Sequence, residues 1–489
     1  METNLTTLLD NIGRSDMLTT AYDTAWVARL TEFDHVLGLP AMEWLSENQL
    51  PDGSWGAGQA FYYHDRMIST LSAMIALTKR GRRQSDRIAI EKGLVALEDI
   101  TNNATKGLST ALKGLTIGFE MIVPTLVAEA ETLGIIKQQK ERILGRISKQ
   151  RDQKLSRLQG KMINRHVTVA FSAEMAGVDG QQMFDVDNLQ EHNGSVGCSP
   201  SATAYFALQV RREDKKAMDY LYKIRTESGG APNVVPFDVF EIAWTLWNLS
   251  LIPNLKVTEN IISHLDFLSA AWQPARGIGF ASEYSVKDSD VTSLVFDTLS
   301  RFGRLKDVES ILSYEEKDWF RCYDLEADPS VSANIHVLGA LRAAGFEKKN
   351  PSVQKVIRFL ERVKGEDPYW VDKWHYSPFY ATAHAIIVCA GYDNELVKDA
   401  VEWLISSQRQ DGSWGAYFPT CEESAYVIQA LWSWRQNTGK VPEAVLKRGW
   451  RWLEENQDIE YPPLWIGKCL YNPTNVIRSA ILSAISLGK

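Results

Sequence analysis

The chain has 489 residues, 45% hydrophobic and 23% charged, with 53 basic against 61 acidic side chains and a net charge of −8. That length exceeds what one core usually serves, so two domains are expected, and charge of neither sign gathers into the long runs that nucleic acid or a polybasic membrane surface requires. The opening residues lack the basic-then-apolar layout of a signal peptide, and no stretch of about 18 apolar residues could span a bilayer, so no membrane insertion is expected. Cys198, Cys322, Cys389, Cys421 and Cys469 are odd in number and scattered, which fits neither a disulfide framework nor a CxxC metal site. A cytoplasmic location is expected.

In chain order, the first informative segment is AMEWLSENQLPDGSWG (41–56), which returns as AVEWLISSQRQDGSWG (400–415) with ten of sixteen positions identical. A degenerate copy, RGWRWLEENQDIEY, keeps Trp452 five residues before Gln457, and weaker echoes of the Gly-rich half occur at 193–197 and 277–280. After the turns come runs such as RMISTLSAMIALTKRG, TAYFALQV, DVTSLVFDTLSRFG and SAYVIQALWSWRQ, with apolar residues recurring at three and four. That spacing predicts amphipathic helices, and alternating strand patterns are almost absent. The Gln amide is expected to bond backbone groups at a helix end, while the turn lays an indole over the packing seam. The charged stretch 140–156 reads as a solvated helical face. The Gly- and Pro-containing stretch 229–244 is the expected boundary between two helical toroids.

No phosphate loop, HExxH, GxSxG or Walker sequence is present. Two Asp-x-Asp triplets are, at Asp185/Asp187 and Asp288/Asp290. Either could simply cap a helix. The second follows Gly277-Ile-Gly-Phe280 and opens an unusually apolar helix, which aims its carboxylates at a toroid mouth. Two close carboxylates in a poorly solvated cavity do not both ionise easily, so one stays an acid at neutral pH. An alkene is so weak a base that protonating it needs such an acid, polarised by a partner. His336, in DPSVSANIHVLGAL, is a candidate for that partner; alone it would read as a core histidine.

These residues, with AYDTAWVARL, QLPDGSWG, HDRMISTLSAMIALTKR, GFEMIVPTL, DVDNLQEHNGSV, SPSATAYFAL, PFDVFEIAW, DSDVTS and DKWH in one order, resemble the class II diterpene cyclases, specifically the short bacterial type making halimadienyl (tuberculosinyl) or kolavenyl diphosphate. The resemblance implies an all-α fold of two α-barrel (α/α toroid) domains in a βγ arrangement. Residues 20–234 would form the γ-type barrel, and 235–489 the β-type barrel with the acid motif, completed by residues 1–19. It implies Asp290 as general acid with Asp288 as companion; the family's next aspartate is Val291 here, so Asp288 and His336 carry more of the polarising. His336 falls where plant relatives place an Asn and squalene–hopene cyclases a His.

Lys373 of Asp372-Lys-Trp matches a diphosphate-holding lysine, and Lys161 is a second candidate. Plant copalyl diphosphate synthases hold a basic water with a His–Asn pair; Asn233 matches the Asn, but Phe171 replaces the His. Without that early base the bicyclic cation rearranges by hydride and methyl shifts, and an aromatic face adds about 1–2 kcal/mol to a desolvated cation. The implied reaction is protonation-initiated bicyclisation of geranylgeranyl diphosphate with the diphosphate retained, giving kolavenyl (clerodane) diphosphate, or alternatively the halimadienyl product. The motif for metal-triggered diphosphate loss is absent, and GLSTALKGLTI replaces the acidic cluster upstream of GFE. Mg2+ is therefore expected with the diphosphate and without protein ligands. A downstream class I terpene synthase or phosphatase is an expected user of the product. A triterpene cyclase, a non-catalytic prenyl-binding toroid and a two-carboxylate glycosidase are the rival readings.

Overall fold

The computed structural model describes residues 2–80, 83–107, 116–137, 147–158, 160–326 and 328–489. Its fold begins with the repeated turn. Gln49 Nε2 donates to the carbonyls of Gly53 and Ala89, each at 2.8 Å, and Gln408 does the same to Gly412 (3.0 Å) and Val445 (2.8 Å). Trp55 and Trp414 are fully buried, and each indole N–H reaches back to a carbonyl, Leu45 or Leu404, at 2.8 Å. The tryptophan thus fills the seam with its only polar atom satisfied. Gln457 is different: its amide bonds only Glu454 O, within its own turn.

A further bond ties each turn to the next helix. The backbone N–H of Trp55 donates to Thr70 Oγ1, that of Trp414 to Ser424 Oγ, and that of Ile278 to Thr292 Oγ1, at 2.9–3.0 Å. Val196 with Thr203, and Trp370 with Thr382, repeat it. Five turns share this bond although only two keep the Gly-Ser-Trp letters. At Gly277 (φ +76°) a Cβ would lie 2.2 Å from Thr292 Oγ1, so only glycine lets that turn close on the helix behind it.

The helices close into two rings. In one, Asp238–Leu249, Ser289–Arg301, Val331–Ala343, Pro378–Cys389, Cys421–Thr438 and Thr474–Ser486 each pack on the next, and the last returns to the first. The N-terminal helix Glu2–Asn11 lies outside this ring against Glu259–Ala271 and Thr474–Ser486. Leu8, Leu9, Ile12 and Met17 belong to its core, and Glu241 accepts the amides of Gly13, Ser15 and Asp16 at 2.6–3.1 Å. In the other ring, Ala21–Ala28, Tyr63–Arg80, Phe119–Thr132, the 3-10 segment Thr168–Ala176 and Pro200–Tyr205 pack in the same closed order. Strand is confined to two short pairs. One of them, Trp465–Ile466 with Leu470–Tyr471, is a hairpin whose tip reaches across, so that Cys469 packs in the core built from residues 21–231. Among the described residues no helix is long and apolar enough to cross a membrane.

Candidate active site

A cavity of about 360 Å³ opens between the two barrels. Phe171 and Asn233 line it from one side, and Asp288, Asp290, Lys373 and Trp465 from the other. Phe237, Phe240, Phe280 and Tyr471 add aromatic faces to the remaining wall. Sequence reasoning named five of these lining residues; a sixth candidate, His336, stands directly behind the wall.

Asp288 is both a cap and a buried acid. It is the N-cap of Ser289–Arg301, with Oδ1 accepting the Val291 amide at 2.7 Å. Its Oδ2 is buried without a partner among the described residues. Burial pushes its carboxyl well above the usual range; the Val291 amide opposes that rise, and the Asp290 charge adds to it. Asp288 caps the helix with one oxygen, while Asp290, two residues on, bonds elsewhere. Asp290 Oδ1 lies 2.5 Å from His336 Nδ1, and His336 Nε2 lies 2.9 Å from His384 Nδ1. His384 was not singled out in the sequence, where AHAII reads as apolar helix. Trp244 packs edge-on against His336, and its own N–H donates to Tyr380 OH at 2.9 Å. The other Asp-x-Asp is a surface turn, where Asp187 pairs with Arg211.

Asp372 couples the acid to the cations. Its carboxylate accepts the amides of Val331 (2.9 Å) and Ser332 (3.0 Å), the first residues of the helix carrying His336, and the amide of Trp374 (3.1 Å). Lys373 is thereby fixed beside the cavity. Its Nζ donates to Asp328 O at 2.6 Å and pairs with Glu326. Burial alone would lower that ammonium, but Glu326, Cys322 and Asp372 together outweigh it and the net shift is upward. Lys161 does not join Lys373: its side chain is exposed and outside the cavity lining. Lys154, from the stretch expected to be a solvated face, lines it instead, together with Arg157 just beyond that stretch. Lys154 pairs with Glu120, and Arg157 donates to Glu326 O at 2.8 Å. The segment GLSTALKGLTI falls mostly on 108–115, outside the described residues. Among the described residues no group of three His, Cys, Asp or Glu could hold a metal. Of the carboxylates at this end, Glu120 and Glu326 are engaged by lysines and Asp324 by Arg321, a poor fit to a dedicated magnesium site.

The opposite wall carries charge that never reaches the cavity. The Lys468 ammonium, at the hairpin tip, sits 4.6 Å from the Phe171 ring centroid on no cavity-lining position. It donates to Glu174 Oε1 at 2.6 Å, Ser199 Oγ at 2.7 Å and Ser201 Oγ at 2.8 Å, and both members of the ion pair are fully buried. The Phe171 π-face is therefore already engaged by a cation, so the aromatic stabilisation expected of it is shared with Lys468. Asn233 Nδ2 bonds Asp23 Oδ2 at 2.9 Å, while its Oδ1 is buried and unpartnered. Gly467 permits that approach, since a Cβ there would lie 2.0 Å from Asn233 Oδ1. A lysine inside WIGKCLY was a signal the sequence offered.

Comparison with known proteins agrees with this geometry. Residues 321–458 match the model of the squalene-hopene cyclase C-terminal domain. The chain is 46% identical over 495 residues to the type B diterpene cyclase of Mycobacterium tuberculosis, covering all of this chain and 99% of that protein. It is 28% identical to an ent-copalyl diphosphate synthase of a Streptomyces species, over 91% of this chain and 87% of that one. The structure of ent-copalyl diphosphate synthase from Streptomyces platensis superposes with a TM-score of 0.79 at 27% identity, covering 100% and 98% of the two chains. With two closed helical barrels, an acid-lined aromatic cavity between them and a full-length relative at that identity, the chain is a member of the class II diterpene cyclases.

Proposed function

We propose that this cyclase converts geranylgeranyl diphosphate to kolavenyl diphosphate, a clerodane, with Asp290 as the general acid. Asp290 gives its proton to the distal alkene; the alkene electrons close two rings and leave a cation in the second. Hydride and methyl shifts then carry the charge back through the first ring. The observation that carries this reading is the opposite wall: Phe171 covers Lys468 and Glu174, so no base is presented there to quench the first bicyclic cation. The lining carboxylates beyond the acid pair lie around Lys373, Lys154 and Arg157, at the end suited to a diphosphate. After a complete run of shifts the last cation adjoins the carbon that Asp290 protonated, and the carboxylate left there takes a proton back. Acid and substrate atoms balance, and the reaction is a net isomerisation.

Asp288 and His336 support the acid, and Asn233 shapes the wall beside Phe171. Lys373, with Lys154 and Arg157, holds the diphosphate, and Mg2+ enters as that anion's counter-ion. The two barrels would comprise 20–234 and 235–489, the second completed by 1–19, as the core placement of Leu8 to Met17 supports. The product, still a diphosphate, suits a class I synthase or a phosphatase.

The test is incubation of purified protein with geranylgeranyl diphosphate, dephosphorylation, and mass spectrometry with NMR of the alcohol. A clerodane alcohol is expected. A halimane alcohol means that migration stops midway and favours the halimadienyl reading; an unrearranged labdane overturns the argument from Phe171.

A further inference from the structure

His384, on Pro378–Cys389, is buried and does not line the cavity. Its ring stacks on Trp247, centroids 4.6 Å apart at 19°, and its Nδ1 faces His336 Nε2 at 2.9 Å. Trp247 is itself pinned by an N–H bond of 2.7 Å to Asp297. His384 Nε2 is buried with no partner among the described residues. Both ring nitrogens of His336 are thus engaged, one by Asp290 and one by His384.

A neutral imidazole has one donor and one acceptor nitrogen. If Asp290 is to release a proton from Oδ2, its Oδ1 must accept, so His336 must carry its hydrogen on Nδ1. His336 Nε2 is then a bare lone pair facing His384 Nδ1, and two lone pairs at 2.9 Å repel. Only His384 with hydrogen on Nδ1 completes the chain. In the reverse tautomer, His336 Nδ1 is the acceptor and draws the acid's proton onto Oδ1, away from the alkene. Burial lowers the pKa of His384 well below its ordinary value, with the neighbouring His336 adding to the effect, so the ring is neutral and supplies one donor.

We propose that His384 is a positioning residue that, as the Nδ1–H tautomer, fixes His336 as hydrogen-bond donor to Asp290 and keeps the acid's proton on the oxygen free to meet the substrate. This rests on the assignment of Asp290 as the acid.

Two substitutions and one spectrum test it, with geranylgeranyl diphosphate as substrate. His384→Phe keeps the stack on Trp247 but removes the donor; kcat should fall about tenfold or more with KM unchanged. His384→Asn places an N–H near the same point and should retain activity to within about threefold. In 15N-histidine NMR of the unsubstituted protein, His336 Nε2 should carry an unprotonated shift. Wild-type turnover in His384→Phe overturns the proposal, as do equal losses in the two variants or a loss carried by KM. Should neither variant fold, a protonated His336 Nε2 in the parent protein overturns it by itself. The two levels separate cleanly: if Asp290→Asn is dead while His384→Phe is fully active, only this inference fails, whereas an active Asp290→Asn removes the acid beneath it.

Discussion

The two sides of the cavity are both polar at depth, yet they treat charge oppositely. Behind the acid, Asp290, His336 and His384 bond in line and end in an unpartnered nitrogen, so every link can be made by neutral groups that still hold a transferable proton. Behind Phe171, a full ion pair is buried away from the cavity, with Lys468 satisfied by Glu174, Ser199 and Ser201. The first arrangement offers a proton to the cavity; the second offers nothing, and a phenyl ring covers it. In the proposed reaction this asymmetry is what lets the charge travel, since an acid without a facing base starts a cation that is not quenched at once.

Five variants break or sharpen that contrast. Asp290→Asn, which keeps the bond to His336, should lower turnover about a thousandfold or more while the melting temperature holds; unchanged product formation removes the acid side of the comparison. Lys468→Met leaves Glu174 buried and unpaired, and denaturant titration should register a loss of about 3–5 kcal/mol. The double change Lys468→Met with Glu174→Gln should recover most of it, and a double variant as weak as the single would show that the pair is not what holds the hairpin tip. Lys373→Gln should raise KM about tenfold with little change in kcat, the mark of lost ground-state binding; an unaltered KM moves the diphosphate elsewhere. Phe171→His exposes a base to the cavity, so the dephosphorylated product mixture should shift towards less rearranged skeletons. An identical mixture makes Phe171 packing only.

Much of this was legible in the sequence because its signals are local. Gln49, Asp52, Ser54 and Trp55 satisfy one another or nearby backbone inside a single turn, so their spacing survives in the letters, and Gln408 to Trp414 repeat it. Asp288 announces a helix start for the same reason. What was illegible depends on contacts between remote segments. His384 sits in an apolar helix, and nothing in that run marks the nitrogen 48 positions away that gives it a role. Lys154 looked like part of a solvated face because composition cannot tell which side of a helix meets a cavity. Lys161 follows the helix Ile147–Ser156, and the chain direction there carries it into solvent.

The hairpin 465–471 also sets when the enzyme comes into being. Its tip bonds residues 294 and 405 positions earlier, Glu174 through Lys468 and Asp65 through the Leu470 amide. Every other residue of the cavity wall precedes it in the chain, so a nascent polypeptide displays the aspartates, the aromatic wall and the lysines before the tip that closes the far side is made. Sequence separations of that size are slow to close. A chain without that tip lacks the part of the wall that closes the far side of the cavity, and so lacks the closed chamber that keeps water from a carbocation.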